Sequence, residues 1–237
     1  MMQIKYELFD SLKGELEAEG LSKIEIAGEL VYALRNGLEY LVKISGSEAN
    51  SDITYLSRIG AKRLVCPMIE SSFSMDKYME ATSERGFSHL GVTIETGVAV
   101  NNIESILDAG AQLTEVTIGR SDLSASVGIK GSVEDKKILE MVIKVAEAAR
   151  TRGLRVGMGG GVSVKTKEML SQNQDLASLL NFVETRKAVI PIDVFLNEDA
   201  LSHAINLELD LLKSREKSLV RTIDQVSGRI KSIKSRL

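Results

Sequence analysis

The feature that most constrains this chain is the regular alternation of short, β-prone apolar runs with helical segments along most of its length. Several runs are almost continuously apolar, such as LVCPM at 64–68 and LGVTI at 90–94, and this is typical of strands covered on both faces. Repeated strand–helix units predict a parallel sheet joined by right-handed crossovers. The predicted strands are Leu12–Ala18, Tyr40–Ser45, Arg63–Met68, Leu90–Thr96, Leu113–Gly119, Leu154–Met158 and Phe182–Ile190.

Such a sheet either stays open or closes into a barrel, and the polar residues favour closure. Four predicted strands end in acidic or Gly-rich clusters, which read GELEAEG, MIESS, IETG and IGRSDLS. A barrel builds its active site from such strand ends, whereas an open sheet would need a Gly-rich phosphate turn after the first strand, and none is there. We therefore predict a TIM-type (β/α)8 barrel over residues 1–197. Its eighth strand is Ile4–Phe9, or the barrel is trimmed to seven strands.

Helix boundaries can also be predicted from residue spacing. Ser22 with Glu25 and Ser132 with Asp135 have the spacing of capping boxes, in which a hydroxyl and a carboxylate satisfy free backbone amides. The Gly-rich stretch Gly157–Gly161 follows a predicted strand and precedes a helix predicted over 164–171. It could cradle a phosphate with backbone amides, or it could allow close packing of backbone at the barrel mouth.

The segment 198–237 departs from the barrel pattern and predicts a long coiled-coil helix. Its apolar residues alternate three- and four-residue steps, with Glu216 as the polar interruption. The residues of this seam are Ile205, Leu209, Leu212, Leu219, Ile223, Val226, Ile230, Ile233 and Leu237. Residues 213–237 contain eight Lys or Arg and two acidic residues. A basic amphipathic helix could bind membranes or nucleic acid, but a heptad this regular favours homo-oligomerisation.

Composition excludes several classes of function. The net charge of −3 and the absence of tryptophan argue against nucleic-acid binding. No run of eighteen apolar residues is present, so no membrane span is expected. The first twenty residues contain five acidic residues and no long apolar run, unlike a signal peptide. A single cysteine, Cys66, fits a reducing compartment, and we expect a cytoplasmic protein. Cys66 lies within a strand without a neighbouring histidine, which indicates a core residue.

Two acidic residues at neighbouring strand ends suggest metal chemistry. Glu95 follows the fourth predicted strand and Asp122 the fifth, so both should lie at one barrel mouth. Two carboxylates there could hold Mg²⁺ or Mn²⁺, and the metal could stabilise an enolate. A structural salt bridge would produce the same pattern.

The same segments resemble a known family. IETGVAVNNIESIL at 94–107, followed by VTIGRSDLSASVG at 116–128, is similar to the paired signature of the HpcH/HpaI aldolase and citrate lyase family of pyruvate-binding barrels. GAKRLVCPMIES at 60–71 resembles the preceding strand of that family. The resemblance extends from about Lys43 to Gly161.

This resemblance implies roles for particular residues. Glu95 and Asp122 would hold a divalent metal that is chelated by pyruvate or a related keto acid. The backbone around Gly119, Arg120 and Ser121 would receive the substrate carboxylate. The family usually places an arginine at the position of Lys43 in this chain. Lys43 would stabilise the enolate oxygen with its charge, but it lacks the two parallel hydrogen bonds that an arginine can donate.

The resemblance is incomplete at the acid/base position. The aldolase branch has a histidine in a motif like D-G-E-H, but the corresponding stretch, KGELEAEG at 13–20, has none. Glu17 and Glu19 are candidates to move the proton, and Glu48 is a candidate for proton transfer or substrate binding. His89 and His203 are expected at the surface. Either Arg186 or Lys187, but not both, should point inward from the last predicted strand.

These observations lead to a primary interpretation and an alternative. The primary interpretation is a metal-dependent lyase or aldolase acting on a small keto acid through a pyruvate-type enolate. The alternative is a non-catalytic or regulatory barrel that binds an acidic metabolite and meets partners through the C-terminal helix.

Overall fold

Eight strands close into a barrel in the computed structural model, which describes residues 3–234. Their spatial order around the barrel is their order in the sequence. The strands are β1 (Ser11–Glu15), β2 (Glu39–Lys43), β3 (Arg63–Cys66), β4 (His89–Ile94), β5 (Glu115–Gly119), β6 (Arg155–Gly159), β7 (Phe182–Glu184) and β8 (Ala188–Pro191). The predicted barrel is therefore confirmed.

The last strand differs from the prediction in direction and in origin. Strands β1 to β7 pair in parallel, but β8 is antiparallel to both β7 and β1. The single strand predicted over Phe182–Ile190 is wrong, because the chain turns at 185–187 and forms a hairpin. The alternative eighth strand, Ile4–Phe9, is also wrong, since it contains a 3-10 helix at Tyr6–Leu8.

Eleven α-helices are formed by the described residues. They are α1 (Lys23–Arg35), α2 (Asn50–Arg58), α3 (Ser72–Thr82), α4 (Gly97–Asn101), α5 (Ile103–Ala109), α6 (Arg120–Ser126), α7 (Lys136–Arg150), α8 (Val164–Gln172), α9 (Gln174–Leu179), α10 (Ile192–Asn197) and α11 (Ala200–Lys234). The capping box of Ser22 and Glu25 is confirmed at the start of α1. Ser132 does not cap α7, because the side chain of Asp135 accepts from the Lys137 amide instead.

The barrel interior is stacked in layers. An apolar layer of Leu41, Val65, Phe182 and Val189 fills the middle. Below it, at the amino ends of the strands, the buried Arg63 pairs with Glu115 at 3.3 Å. Above it, at the carboxyl ends, lie the charged residues of the mouth. The main apolar core lies outside the barrel, between the strands and the helices.

The C-terminal helix α11 begins on the barrel and then leaves it. Its first turns bury Leu201, His203 and Leu207, whereas every residue from Glu216 to Lys234 is exposed. The expectation that His203 lies at the surface is wrong, because it is buried and its Nδ1 accepts from the Lys5 amide. His89 is partly exposed. The predicted seam residue Leu237 lies outside the described residues. Across residues 3–234, no helix has both the length and the apolar character that crossing a bilayer requires.

Candidate active site

The carboxyl ends of the strands surround a cavity of about 350 Å³, which we call the mouth cavity. Strands β1, β2, β4, β5, β6 and β7 contribute to its wall, and Leu201, Ile205 and Glu208 of α11 cover one side. The other charged residues that line it are Lys13, Glu15, Lys43, Glu95, Asp122, Glu184 and Arg186. The mouth cavity is thus strongly polar inside and partly closed by the C-terminal helix.

Glu95 is a buried carboxylate of this cavity that is held by two neighbours. It follows β4, is only 2% exposed, and accepts a hydrogen bond of 3.1 Å from the Met68 amide. Lys43, at the end of β2, places its Nζ 3.3 Å from Glu95 Oε2. Burial raises the pKa of Glu95, and repulsion from Asp122 adds to this, although Lys43 and the Met68 amide act in the opposite direction. Glu95 therefore lies within electrostatic reach of both Lys43 and Asp122.

Gly119 makes room for Glu95. A Cβ at this position would lie 2.8 Å from Glu95 Oε2, so any other residue would displace the carboxylate. Asp122 follows in the first turn of α6, is exposed, and lines the same cavity. Ser121 lies beside it in the cavity wall. The residues predicted as metal ligands thus face one space.

Glu95 and Asp122 fit a hard divalent cation. The described residues contain no cluster of three or more His, Cys, Asp or Glu side chains arranged as a complete metal site. Two carboxylates nevertheless supply enough protein ligands for Mg²⁺ or Mn²⁺, because these ions prefer oxygen ligands and keep several coordination positions for water and substrate. Gly119 leaves Glu95 Oε2 accessible from the cavity.

A buried ion network beside this pair was not recognised in the sequence. Lys13 Nζ lies 3.0 Å from Glu15 and 2.8 Å from Glu184, and the Thr117 hydroxyl donates to Glu184 at 3.0 Å. Burial would lower the pKa of Lys13, but the two carboxylates raise it above its ordinary value. Burial would raise the pKa of Glu15, yet Lys13, Lys43 and Arg186 bring it below its usual range. The sequence does contain one indication of this network. Lys13 and Glu15 are two residues apart in a strand, so both side chains lie on the inner face of β1.

Arg120 faces away from the mouth cavity. Its guanidinium is fully buried and donates to Gly159 O at 3.1 Å, to Thr166 at 3.3 Å and to Glu134 at 3.4 Å. These bonds tie the start of α6 to β6, to α8 and to the loop between α6 and α7. Only its backbone is near the predicted substrate position.

The three acidic residues predicted for proton transfer or substrate binding do not line the mouth cavity. Glu17 and Glu48 are exposed on turns after β1 and β2. Glu19 lies 2.6 Å from Lys187, which also contacts Glu29 at 2.7 Å. Burial raises the pKa of Glu19. This carboxylate lines a separate cavity of about 270 Å³ between α1 and α11, which we call the α1–α11 groove.

Arg186 and Lys187 point in different directions, as expected for neighbouring residues. Arg186 lines the mouth cavity and contacts Glu15 at 2.7 Å, whereas Lys187 is buried against Glu19 and Glu29. They lie in the β7–β8 turn and not within a strand. Arg186 is therefore the cation available to an anionic substrate.

The glycine-rich loop and Cys66 have clear packing roles. Gly160 has a φ of +75°, and a Cβ there would lie 2.5 Å from the Ser121 amide nitrogen. The loop after β6 thus approaches the start of α6 more closely than a larger residue would allow. Cys66 is fully buried, and burial raises the pKa of its thiol to about 12, as suits a core residue.

Sequence comparison points to one family. The family described as HpcH/HpaI aldolase/citrate lyase matches residues 28–192, well over half of the 237 residues. Comparison with curated protein sequences finds no match.

Several solved structures share the fold. An HpcH/HpaI aldolase from Desulfitobacterium hafniense DCB-2 is 22% identical with a TM-score of 0.64, covering 73% of this chain and 75% of that one. An HpcH/HpaI aldolase/citrate lyase family protein from Burkholderia cenocepacia J2315 is 17% identical with a TM-score of 0.64, covering 86% of each chain. The citrate synthase SbnG is 15% identical with a TM-score of 0.63, covering 88% of this chain and 85% of that one. At such low identities the likeness concerns the fold alone.

Proposed function

The chain belongs to the HpcH/HpaI aldolase/citrate lyase family, and on that premise we propose that it is a divalent-metal-dependent carbon–carbon lyase or aldolase. It would act on a small keto acid through a pyruvate-type enolate. The observation that carries this proposal is the convergence of Glu95, Asp122 and Lys43 on one cavity of about 350 Å³.

Glu95 and Asp122 are the residues that would hold the metal. A bound Mg²⁺ or Mn²⁺ would supply Lewis-acid stabilisation of negative charge on the keto oxygen. The Met68 amide fixes one oxygen of Glu95, which leaves Oε2 directed toward Lys43 and Gly119. The protein thereby orients this carboxylate before any ligand arrives.

Lys43 would stabilise the enolate oxygen. Its ammonium is a compact charge that can turn from Glu95 toward a substrate oxygen without leaving the cavity. Leu201 and Ile205 of α11 form an apolar part of the wall, which limits water around the developing charge and strengthens its interaction with Lys43.

The proton would be carried by Glu184. The predicted carriers Glu17 and Glu19 do not line the cavity, whereas Glu15 and Glu184, which were not predicted as carriers, do. The lowered pKa of Glu15, beside Lys13 and Arg186, makes this carboxylate a weaker base. Glu184, held by Lys13 and the Thr117 hydroxyl at the end of β7, is then the strand-end carboxylate in reach of a bound keto acid, since the other lining carboxylate, Glu208, lies on α11.

One observation favours the second candidate function, a non-catalytic or regulatory barrel that binds an acidic metabolite. The buried carboxylates of the cavity, Glu15, Glu95 and Glu184, each already have a lysine partner. Neither His89 nor His203 lines the cavity. Such a site could hold an anion through Lys43 and Arg186 without moving a proton.

Deuterium exchange into the methyl group of pyruvate separates the two functions. The expected result, followed by proton NMR, is exchange that requires Mg²⁺ or Mn²⁺. Glu95→Gln and Asp122→Asn should each reduce the rate by about 100-fold or more, since each removes a ligand. Glu140→Gln, on the exposed face of α7, should leave it unchanged.

The remaining outcomes are also informative. Binding of metal and pyruvate without exchange would favour the non-catalytic barrel. Failure of the wild-type protein to bind either metal would contradict the assigned ligands. Positive exchange would direct the search to aldehyde or acyl acceptors for the enolate.

A further inference from the structure

The α1–α11 groove lies outside the barrel and takes no part in the proposed reaction. Its volume of about 270 Å³ is close to the lower end of ligand pockets, which is about 300 Å³. Helices α1 and α11 form its two sides, and its wall is more apolar than polar. The large apolar and aromatic side chains of this wall are Leu21, Tyr32, Leu211, Leu212 and Leu219.

A glycine keeps the groove open on the side of α1. Gly28 lies in the interior of that helix, where glycine is less favourable than alanine. A Cβ at this position would meet no atom within 4 Å, so no neighbouring group requires a residue without a side chain. Because Gly28 lines the groove, the free space beside it belongs to the cavity and can be filled by a ligand.

Buried ion pairs form the polar end of the groove. Lys187 Nζ lies 2.6 Å from Glu19 Oε2 and 2.7 Å from Glu29 Oε1. The other oxygen of Glu29 accepts a hydrogen bond of 2.8 Å from the Tyr40 hydroxyl. Three of the four oxygens of these two carboxylates therefore have a partner.

The fourth oxygen, Oε1 of Glu19, is buried and accepts no hydrogen bond from any residue between 3 and 234. The Glu19 side chain is only 9% exposed. Burial raises the pKa of Glu19, and repulsion from Glu29 and Glu15 adds to this, although Lys187 acts in the opposite direction. A buried oxygen without a partner is unfavourable, so a donor that enters the groove beside Glu19 would stabilise the folded protein.

The groove also carries a net negative charge. Three carboxylates line it, those of Glu19, Glu25 and Glu29. Only two cations line it, Lys187 and Arg215. Arg215 Nε lies 2.7 Å from Glu25, and the same guanidinium donates to the backbone carbonyl of Glu19 at 3.0 Å. Since both cations are already paired, the remaining charge favours a positively charged ligand.

We propose that the α1–α11 groove is a second ligand site, which binds a small organic ammonium ion with an apolar body. The ammonium group lies beside Glu19 and donates the missing hydrogen bond. The apolar body occupies the space beside Gly28 and contacts Leu211 and Leu212 across the groove. The ligand thus contacts both α1 and α11. The proposal does not depend on the proposed reaction, because it follows from the groove alone.

Calorimetric titration of the full-length protein with three six-carbon probes tests the ligand class. Hexylamine, 1-hexanol and hexanoate have the same chain length and differ in the charge of the terminal group. Hexylamine should bind at one site and at least about 10-fold more tightly than 1-hexanol, because hydrogen bonds between charged groups are the stronger ones. Hexanoate should bind more weakly than either. Equal binding of all three probes would overturn the ammonium preference, and the absence of saturable hexylamine binding would overturn the site.

Three variants test the location of the bound amine. Gly28→Leu fills the open space with a side chain that suits a helix, and it should abolish hexylamine binding. Glu19→Gln should weaken binding about 10-fold or more, while Lys187 keeps Glu29 as its partner. Glu17→Gln, an exposed position on the same turn and outside the groove, should leave the affinity unchanged. Hexylamine binding that survives both Gly28→Leu and Glu19→Gln would place the amine elsewhere and overturn the proposal.

Discussion

At the scale of single residues, Lys13 is the centre of the buried charges in the mouth cavity. One ammonium pairs with two carboxylates, Glu15 and Glu184, and all three side chains are less than a tenth exposed. Charges buried in this way persist only when each has a partner. The stability of the barrel mouth should therefore depend strongly on this one cation.

Replacing Lys13 by methionine should destabilise the protein by about 3–5 kcal/mol at neutral pH, because Glu184 loses its charged partner and Glu15 keeps only Arg186. Urea unfolding measures the effect. Lys77→Met, which removes an exposed cation paired with Glu80, should change stability by less than about 1 kcal/mol.

The loss should depend on pH with a definite sign. In the wild type, the lowered pKa of Glu15 stabilises the folded state at pH values above the ordinary pKa of a carboxyl group. This stabilisation is lost as the pH falls through the pKa that Glu15 has in the folded state. Without Lys13 the pKa of Glu15 is lowered less, so less stability is lost as the pH falls. The difference between the two proteins should shrink as the pH is lowered from about 7 to about 4.5. A difference independent of pH would point to lost packing.

At the scale of elements, the pairing of β6 with β7 depends on one glycine. Gly157 pairs with Phe182 across the two strands, and a Cβ on Gly157 would lie 2.0 Å from a ring atom of Phe182. The ring belongs to the apolar layer that fills the barrel, so it has no free space into which to move. This glycine lets a short three-residue strand carry a large aromatic side chain into the interior.

Gly157→Ala should therefore destabilise the protein by about 1–3 kcal/mol through overpacking. Gly28→Ala in α1, where an added Cβ meets no atom within 4 Å, should instead stabilise it by about 0.5–1 kcal/mol. Thermal or urea unfolding of both variants checks the contrast. Equal effects at the two positions would show that the ring of Phe182 can give way.

At the scale of the whole molecule, the barrel and the distal half of α11 differ in their contacts. The barrel has its own core inside and outside the sheet, whereas the helix from Glu216 onward is exposed. The distal half therefore adds little to the stability of the barrel, and its exposed apolar residues, which belong to the predicted coiled-coil seam, are available for association.

Deleting residues 220–237 should leave the unfolding free energy at low protein concentration within about 0.5 kcal/mol of the full-length value. The midpoint of thermal unfolding should rise with protein concentration for the full chain, because association stabilises the folded state, and should not do so after deletion. A large loss of stability at low concentration would mean that the tail supports its own barrel.

The sequence by itself determined the features that depend on local pattern. Alternating apolar runs and helices predicted a parallel sheet, and the acidic and Gly-rich strand ends favoured its closure into a barrel. The positions of Glu95 and Asp122 at the ends of neighbouring strands were predictable because parallel strands carry their carboxyl ends to one edge. The heptad of α11 was likewise visible, since seven-residue spacing depends only on helix geometry.

Only the tertiary structure decided the features that depend on partners distant in the chain. The run at 182–190 is apolar throughout, so its pattern could not show that it turns back as a hairpin to close the barrel against β1. Arg120 follows a strand end like a substrate-binding residue, but Gly159, Thr166 and Glu134 draw it inward. Glu19 is held by Lys187, which lies in a hairpin far away in the sequence. Side-chain direction at such positions is set by whichever opposite charge or free carbonyl lies nearest in space, and that information is absent from local spacing.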